Sequence, residues 1–314
     1  MHIIRAPLRI SPLGAHVDHQ DGFVTGMTID RAIFLVFTPR DDRQVIVHSL
    51  NFPGTVSFNL GDIPPSIPGD WGNYVRGAAS ALQTLNPLDR GMNAVVGGVM
   101  PIGGLSSSAA VGVAYLLALE YVNGLQITPV DNVELDRFIE NNYLGLRNGV
   151  LDQSIILLSE RNHLTYLDCR SMQVDRVPLG EPHADLEFLV VYSGVDKALV
   201  GTDYNLRVTQ CQQAAEALLL EAGEPVPSQP RLREVPESIY AAYSHKLPEI
   251  LQKRARHFFT EIQRVKEGVA AWRTGDIPRV GQLIKASGAS SIYNYESGCD
   301  QLKTLYDILG SCPG

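Results

Sequence analysis

Short apolar or alternating runs, each bounded by Asp, Pro or Gly, predict β-strands in the first part of the chain. Such runs cover residues 32–38, 45–48, 56–60 and 91–99, and strand patterning returns at 164–167 and 186–192. Apolar residues at helical spacing predict helices at 74–85, 111–121, 133–146, 204–222, 238–243, 247–274 and 277–287. This irregular alternation predicts an α+β fold rather than a doubly wound parallel sheet.

One predicted loop turns directly into an apolar helix. Residues 103–110 read GGLSSSAA and lead into the apolar run 111–119. Glycines let backbone N–H groups approach an oxyanion, hydroxyls add donors, and a helix N-terminus favours negative charge. The loop has neither the lysine of a Walker A loop nor a G-x-S-x-G elbow. A phosphate site and an ordinary serine-capped turn both remain open from these residues alone.

The amino-acid composition and net charge exclude several classes of binding partner. The chain has 314 residues, of which 45% are hydrophobic and 19% charged, enough for one large or two medium domains. A net charge of −8 without long runs argues against nucleic-acid or membrane binding. Four scattered cysteines without a C-x-x-C pair argue against zinc and disulfides. With no long apolar segment or signal-peptide core, we expect a cytoplasmic protein.

A polar loop between apolar runs lies near the N-terminus, at residues 9–20, and polar loops of this kind often carry sites. It contains Arg9, His16, Asp18 and His19. A metal site is disfavoured because no further cluster with ligand spacing lies nearby in sequence. A solvated turn and hydrogen bonding to a polyhydroxylated ligand both remain open.

Two carboxylates flank a glycine-bearing loop in the middle of the chain. Glu140 ends a predicted helical stretch, and Asp152 begins the next element after Gly145 and Gly149. The pair suits a division of labour in which one carboxylate holds Mg²⁺ and the other acts on a hydroxyl. Each alone is more often a helix cap or a solvated charge.

Together these stretches resemble the GHMP small-molecule kinases, and more narrowly the galactokinase branch. The matching segments are the N-terminal sugar signature at 6–18, WGNYVRG at 71–77, GLSSSA at 104–109, GVLDQ at 149–153, YLDCRS at 166–171, and YNLR at 204–207 with Cys211. The resemblance implies a two-domain fold, with an N-terminal domain like the second domain of ribosomal protein S5 and a helix-rich α+β C-terminal domain. We place these domains at residues 1–175 and 176–314.

The resemblance also implies roles for individual residues, with ATP and Mg²⁺ as cofactors. Asp152 matches the catalytic carboxylate, and Arg9 lies beside it. Ser108 and Glu140 match the positions that hold Mg²⁺, and Trp71 matches the residue against adenine. The ATP phosphates would be wrapped by Gly103, Gly104, Leu105, Ser106, Ser107, Ser108 and Ala109. Sugar hydroxyls would be contacted by His16, Asp18 and Tyr204.

Two departures from galactokinases indicate the substrate. Ala15 replaces the glutamate that holds the C6 hydroxyl, which removes a negative charge where a C6 carboxylate would lie. Arg147 stands where galactokinases carry an apolar residue or proline, and with Lys197 it could supply a cation for that carboxylate. The sequence therefore resembles galacturonokinases more closely, and we expect D-galacturonic acid as acceptor. Galactokinase activity and a non-catalytic sugar or nucleotide sensor are the alternatives, and the presence of Arg9 and Asp152 argues against the sensor.

Two further departures concern the nucleotide side. Pro101 lies one residue nearer to Gly104 than the family spacing, so the entry to the phosphate loop is expected to differ. The family's third, glycine-rich motif should follow the region 305–314, so we expect a C-terminal domain that is incomplete. A small sugar or uronic acid is the expected partner, and the sequence leaves a monomer or a dimer open.

Overall fold

The computed structural model describes residues 1–98, 104–181, 186–195 and 203–312. These residues form two compact units. The first comprises Met1–Ile10 and Met27–Ser159, and the second comprises Ser11–Gly26 together with the described residues from Glu160 onward. The division into residues 1–175 and 176–314 that was drawn from the sequence stays a prediction.

The first unit contains a five-stranded sheet. Its strands are β1 (His2–Ile10), β2 (Phe23–Pro39, which enters this unit at Met27), β3 (Gln44–Ser49), β4 (Thr55–Asn59) and β5 (Met92–Gly98). The strand order is β4-β3-β5-β2-β1, and only the β3–β5 pair is parallel. On each strand alternate residues are buried, as period-two side-chain direction requires. Leu35 therefore faces Val96, and Phe37 faces Ala94, on the core side of the sheet.

Helices cover the buried face of this sheet. They are α1 (Asn73–Gln83), α2 (Ser107–Asn123), α3 (Pro129–Phe138) and α4 (Leu151–Leu158), and one π-helical turn (Ile139–Tyr143) follows α3. Helix α2 packs against β1, α1, α3 and α4, so it is buried on most of its circumference. This central position explains why its sequence is apolar without a polar stripe.

A buried carboxyl on α2 gives the first unit a predictable pH response. Glu120 is 6% exposed, and burial raises its pKa from the ordinary value of 4.5 to about 7, against an opposing hydrogen bond with Asn132. Between pH 4.5 and pH 7 the Glu120 carboxyl has lost its proton in the unfolded chain but keeps it in the folded chain. The carboxyl therefore makes the wild-type protein lose stability as pH rises from 4.5 to 7.

We expect Glu120→Gln to remove this loss. We expect the free energy of unfolding, measured with urea, to fall by about 2 kcal/mol more in the wild type than in the variant when the pH is raised from 5 to 7.5, because the glutamine binds no proton. Other titrating groups cancel in the difference between the two proteins. Parallel stability profiles for the two proteins would contradict the assignment.

The second unit is richer in helix. Residues 23–26 of β2 pair with β6 (His163–Asp168), which pairs with β7 (Gln173–Pro178). Its helices are α5 (Tyr204–Ala222), α6 (Glu237–Tyr243), α7 (Glu249–Arg273), α8 (Ile277–Tyr293) and α9 (Asp300–Ser311). Helix α7 packs against α5, α8 and β7, and Trp272 Nε1 donates to Val177 O at 3.2 Å. Among the helices described, none has both the length and the apolar character needed to cross a membrane.

The α+β prediction is confirmed, and most predicted elements appear with ends shifted by a few residues. The predicted strand at 186–192 is wrong. Residues 186–192 are exposed and form no ladder with a strand in the described parts of the chain, and a strand needs a partner. The predicted helix 133–146 is wrong at its end, because α3 gives way to the π-helical turn before Leu144. Strands β1 and β7 and helices α4 and α9 had no counterpart among the predicted elements.

Candidate active site

An arginine and an aspartate form the central ion pair of the first unit. Arg9, near the end of β1, donates from Nε and Nη2 to Asp152 Oδ1 at 2.8 and 2.6 Å. Asp152 lies in the first turn of α4, where the free N–H groups of the helix add positive potential. The two side chains are 14% and 23% exposed. The carboxylate is thus held in place yet accessible, as a group that acts on a substrate hydroxyl must be.

The same arginine is hydrogen-bonded to the described part of the glycine and serine loop, at Gly104 and Leu105. Arg9 Nη1 donates to Gly104 O at 3.2 Å, and the backbone N–H of Arg9 donates to Leu105 O at 3.2 Å. One guanidinium therefore contacts both the carboxylate and the loop. Gly103, which was predicted to share in phosphate binding, lies outside the described residues.

The loop has the features of an anion site where it enters α2. Gly104 and Ser106 both adopt left-handed backbone conformations, with φ of +73° and +58°. Ser106 is the N-cap of α2, but its side chain makes no capping bond. Its buried hydroxyl has no hydrogen-bond partner among the described residues. Ser107, Ser108 and Ala109 form the first turn of the helix, whose N–H groups are available to a phosphate.

Acidic and hydroxyl groups lie together near the start of α2. Tyr74 has a side-chain hydrogen bond with Ser108. Burial raises the pKa of Tyr74, and the negative charges of Glu140 and Asp136 raise it further. Glu140 lies in the π-helical turn after α3 and accepts a hydrogen bond from Asn148. The π-helical turn shifts the backbone register here, as π-turns often do at functional sites.

Asp136 is a buried carboxyl that the sequence patterns did not single out. It is 1% exposed, and neither of its oxygens has a hydrogen-bond partner among the described residues. Burial, and then the charges of Glu140 and Asp152, raise its pKa well above the usual range. A Cβ on Gly112 would lie 2.1 Å from Asp136 Oδ1, so the glycine makes room for the carboxyl.

Carboxylate and hydroxyl oxygens are suitable ligands for Mg²⁺, which proteins often bind through one or two carboxylates together with substrate phosphates. Ser108 and Glu140 supply such a hydroxyl and carboxylate, and both interact with Tyr74. Within the described residues no group of three or more His, Cys, Asp or Glu side chains could hold a metal ion. A magnesium ion at this place would therefore also need oxygens from the nucleotide or from water.

Two other predicted residues of the first unit are Trp71 and Arg147. Trp71 donates from Nε1 to Pro53 O at 3.1 Å and stacks on Phe52 at 6.5 Å between ring centroids. No hydrogen bond or ion pair among the described residues joins Trp71 to Arg9 or Asp152. Arg147 is exposed and lies two positions after Gly145, whose φ is +75°. Lys197, which was expected to act with Arg147, lies outside the described residues.

The predicted sugar residues of the second unit lie around one tyrosine. His16 stacks on Tyr295 with centroids 4.3 Å apart and the rings nearly parallel. His19 Nε2 lies 2.9 Å from Tyr295 Oη, and the His19 ring meets Tyr204 edge-on at 6.0 Å. Burial raises the pKa of Tyr295, and the negative charge of Asp18 raises it further. The structure thus brings His16, Asp18 and Tyr204 to one neighbourhood, with Ala15 next to His16 in the chain.

Tyr295, His257 and Glu261 are residues of this neighbourhood that sequence reasoning missed. His257 and Glu261 lie on α7, and Tyr295 follows α8. No local pattern marks them, since a histidine and a glutamate on a charged helix resemble solvated surface residues. Asp136 could have been suspected, because it lies one helical turn before Glu140.

Comparisons with known proteins identify the family of this chain. Residues 1–39 match the galactokinase galactose-binding signature, and residues 73–160 match the GHMP kinases N terminal domain. Galacturonokinase from Arabidopsis thaliana is 45% identical over 334 aligned positions, which cover 100% of this chain and 78% of that protein. Galactokinase from Chloroflexus aurantiacus is 34% identical, covering 99% of this chain and 78% of that protein.

A solved structure gives the same result. Lactococcus lactis galactokinase complexed with galactose matches with a TM-score of 0.88 and 27% identity, covering 99% of this chain and 80% of that one. The alignments to the two curated relatives cover nearly the whole of this chain and 78% of each relative, and both identities exceed 30%. The chain therefore belongs to the galactokinase branch of the GHMP kinases and is a sugar kinase.

Proposed function

We propose that this protein transfers the γ-phosphoryl group of ATP to the anomeric hydroxyl of D-galacturonic acid and releases the sugar 1-phosphate. The observation that carries the kinase chemistry is the bond of Arg9 to both Asp152 and the phosphate-loop end. The 45% identity to a galacturonokinase, against 34% to a galactokinase, supports the choice of acceptor.

Asp152 acts on the attacking hydroxyl in this proposal. Its Oδ1 is occupied by the guanidinium of Arg9, which leaves Oδ2 to accept the anomeric hydroxyl hydrogen bond and its proton. Arg9 compensates the negative charge that develops on the transferred phosphoryl group. Positioning and charge neutralisation of this kind supply most of the rate in phosphoryl transfer.

The nucleotide is assigned to the loop and the start of α2. The N–H groups of residues 104–109 and the unpartnered Ser106 hydroxyl would receive the phosphates, and Trp71 would lie against adenine. Ser108 and Glu140 would hold Mg²⁺. When bound, Mg²⁺ neutralises phosphate charge and orients the transferred group.

The acceptor is assigned to the signature loop and Tyr204. His16, Asp18 and Tyr204 would hydrogen-bond sugar hydroxyls, since imidazole, carboxylate and phenol groups offer both donors and acceptors. Ala15 admits a C6 carboxylate where galactokinases place a glutamate, and the exposed guanidinium of Arg147 is the candidate counter-charge.

A coupled ATPase panel tests the proposal. The purified protein is assayed with galacturonate, galactose and glucuronate, each with and without Mg²⁺, and the product is identified by phosphorus NMR. We expect Mg²⁺-dependent formation of galacturonate 1-phosphate with the highest kcat/KM in the panel. Faster turnover of galactose would instead assign galactokinase activity, and turnover of none of the three would contradict the proposal.

A further inference from the structure

Two side chains of α7 bind consecutive residues of the sugar-signature loop. Glu261 Oε1 accepts the backbone N–H of Gly14 at 2.8 Å, and His257 Nε2 lies 2.8 Å from the carbonyl oxygen of Ala15. The two side chains are one helical turn apart, so they project from the same face of α7. One face of this helix therefore contacts the peptide group before Gly14 and the peptide group after Ala15.

Both partners are buried and fixed. Glu261 is 0% exposed, and its carboxylate also accepts from Ser287 Oγ at 2.6 Å and from Arg264 Nε at 2.7 Å. Buried polar groups with all their partners present hold their geometry tightly, because any displacement leaves an unpaired group without water. The Gly14 peptide is therefore attached to a rigid acceptor.

The hydrogen-bond partners of His257 define its tautomer. A carbonyl oxygen only accepts, so Nε2 carries the proton and donates to Ala15 O. Burial lowers the pKa of His257, which favours the neutral ring. Nδ1 then accepts from Ser290 Oγ at 2.9 Å, and Ser290 accepts in turn from Asn294 Nδ2 at 3.1 Å. The donor toward Ala15 is thus held by a chain of bonds within the second unit.

The loop needs such external support. Gly14 has φ of +97°, and a Cβ there would lie 2.5 Å from the Cα of Val24. His16 adopts φ of +61°, a conformation that L-residues with side chains rarely keep unless the surroundings impose it. The bond from His257 is made to the carbonyl oxygen directly before His16, whose ring stacks on Tyr295.

We propose that His257 and Glu261 are positioning residues for the sugar, because they hold the loop backbone that aims Ala15 and His16. The inference rests on the proposed function, in which this loop contacts the acceptor. Selectivity at Ala15 then depends on two side chains more than 200 positions away in the sequence.

The test compares His257→Leu, which removes the donor, with His257→Gln, which keeps an N–H donor at the ε position. Trp272→Phe is the control on the same helix, because it removes another side-chain bond to a backbone carbonyl. Kinase assays give kcat and the KM values for sugar and ATP, and hydrogen exchange is followed on the peptide of residues 11–22. The exchange readout does not depend on activity.

We expect His257→Leu to raise the sugar KM about tenfold, with the ATP KM within about twofold, and to accelerate exchange in the loop peptide. His257→Gln should recover most of both effects, and Trp272→Phe should show neither. If His257→Leu does not fold, Ser290→Ala should still raise the sugar KM selectively, because it removes the partner of Nδ1.

Unchanged loop exchange in folded His257→Leu, or equal rises in the KM values for sugar and ATP, would overturn the positioning role. The positioning role would also be overturned if His257→Gln recovered neither the sugar KM nor the slow exchange of the loop peptide. An inactive wild type would instead contradict the proposed function, and the exchange comparison would still decide whether α7 holds the loop.

Discussion

Asp152→Asn is expected to lower kcat for sugar phosphorylation about 10³-fold. The asparagine keeps the size of the side chain, but it neither accepts a proton nor carries the charge that Arg9 contacts through Nε and Nη2. The KM for ATP should change little, because the loop that receives the phosphates keeps its own bonds to Arg9. Single-turnover assays with labelled ATP measure the chemical step directly.

Asp168→Asn is a matched control for this variant. Asp168 is 20% exposed against 23% for Asp152, and it pairs with Arg233 at 3.3 Å in the second unit. The control loses a half-buried ion pair with an arginine but should keep kcat within about twofold of the wild type. If the two variants lost the same activity, the effect of Asp152→Asn would reflect general destabilisation and Asp152 would not be the catalytic carboxylate.

Local signals explain which parts of the fold could be predicted. Helix α5 was predicted with both ends correct, because its apolar spacing stops at Gly223, whose φ of +72° ends the helix. The strand predicted at 186–192 failed because apolar character signals only a tendency to pair, and pairing depends on another strand. The end of α3 failed for a related reason, since a π-helical turn keeps helical composition while it changes the hydrogen-bond register.

The candidate site also contains residues that the sequence could assign and residues that it could not. Arg9 and Asp152 are 143 residues apart, and only the family resemblance could assign them to one pair, which the structure then joins. Asp136 lies one helical turn before Glu140, but this spacing does not show whether the carboxyl is buried or solvated, and only the structure shows that it is buried. The anchoring of Ala15 by His257 also depends on tertiary contact, since nothing near either residue in the sequence refers to the other.

The charge at position 15 is expected to decide between acidic and neutral sugars. Ala15 is only partly buried, and its backbone carbonyl rather than its side chain contacts His257, so we expect a longer side chain there to leave this bond in place. A glutamate would bring a negative charge to the place proposed for the C6 carboxylate. Two like charges in contact cost several kcal/mol in a desolvated site.

Ala15→Glu should therefore lower kcat/KM for galacturonate about 100-fold and shift the preference toward galactose, whose C6 hydroxyl can donate to the new carboxylate. Ala15→Gln separates charge from bulk, because it has the same length and no charge. It should retain several times more activity on galacturonate than the glutamate variant. Equal losses in the two variants would show that size alone acts at this position. An unchanged preference in Ala15→Glu would place the C6 group of the sugar elsewhere, while the role of Asp152 would stand.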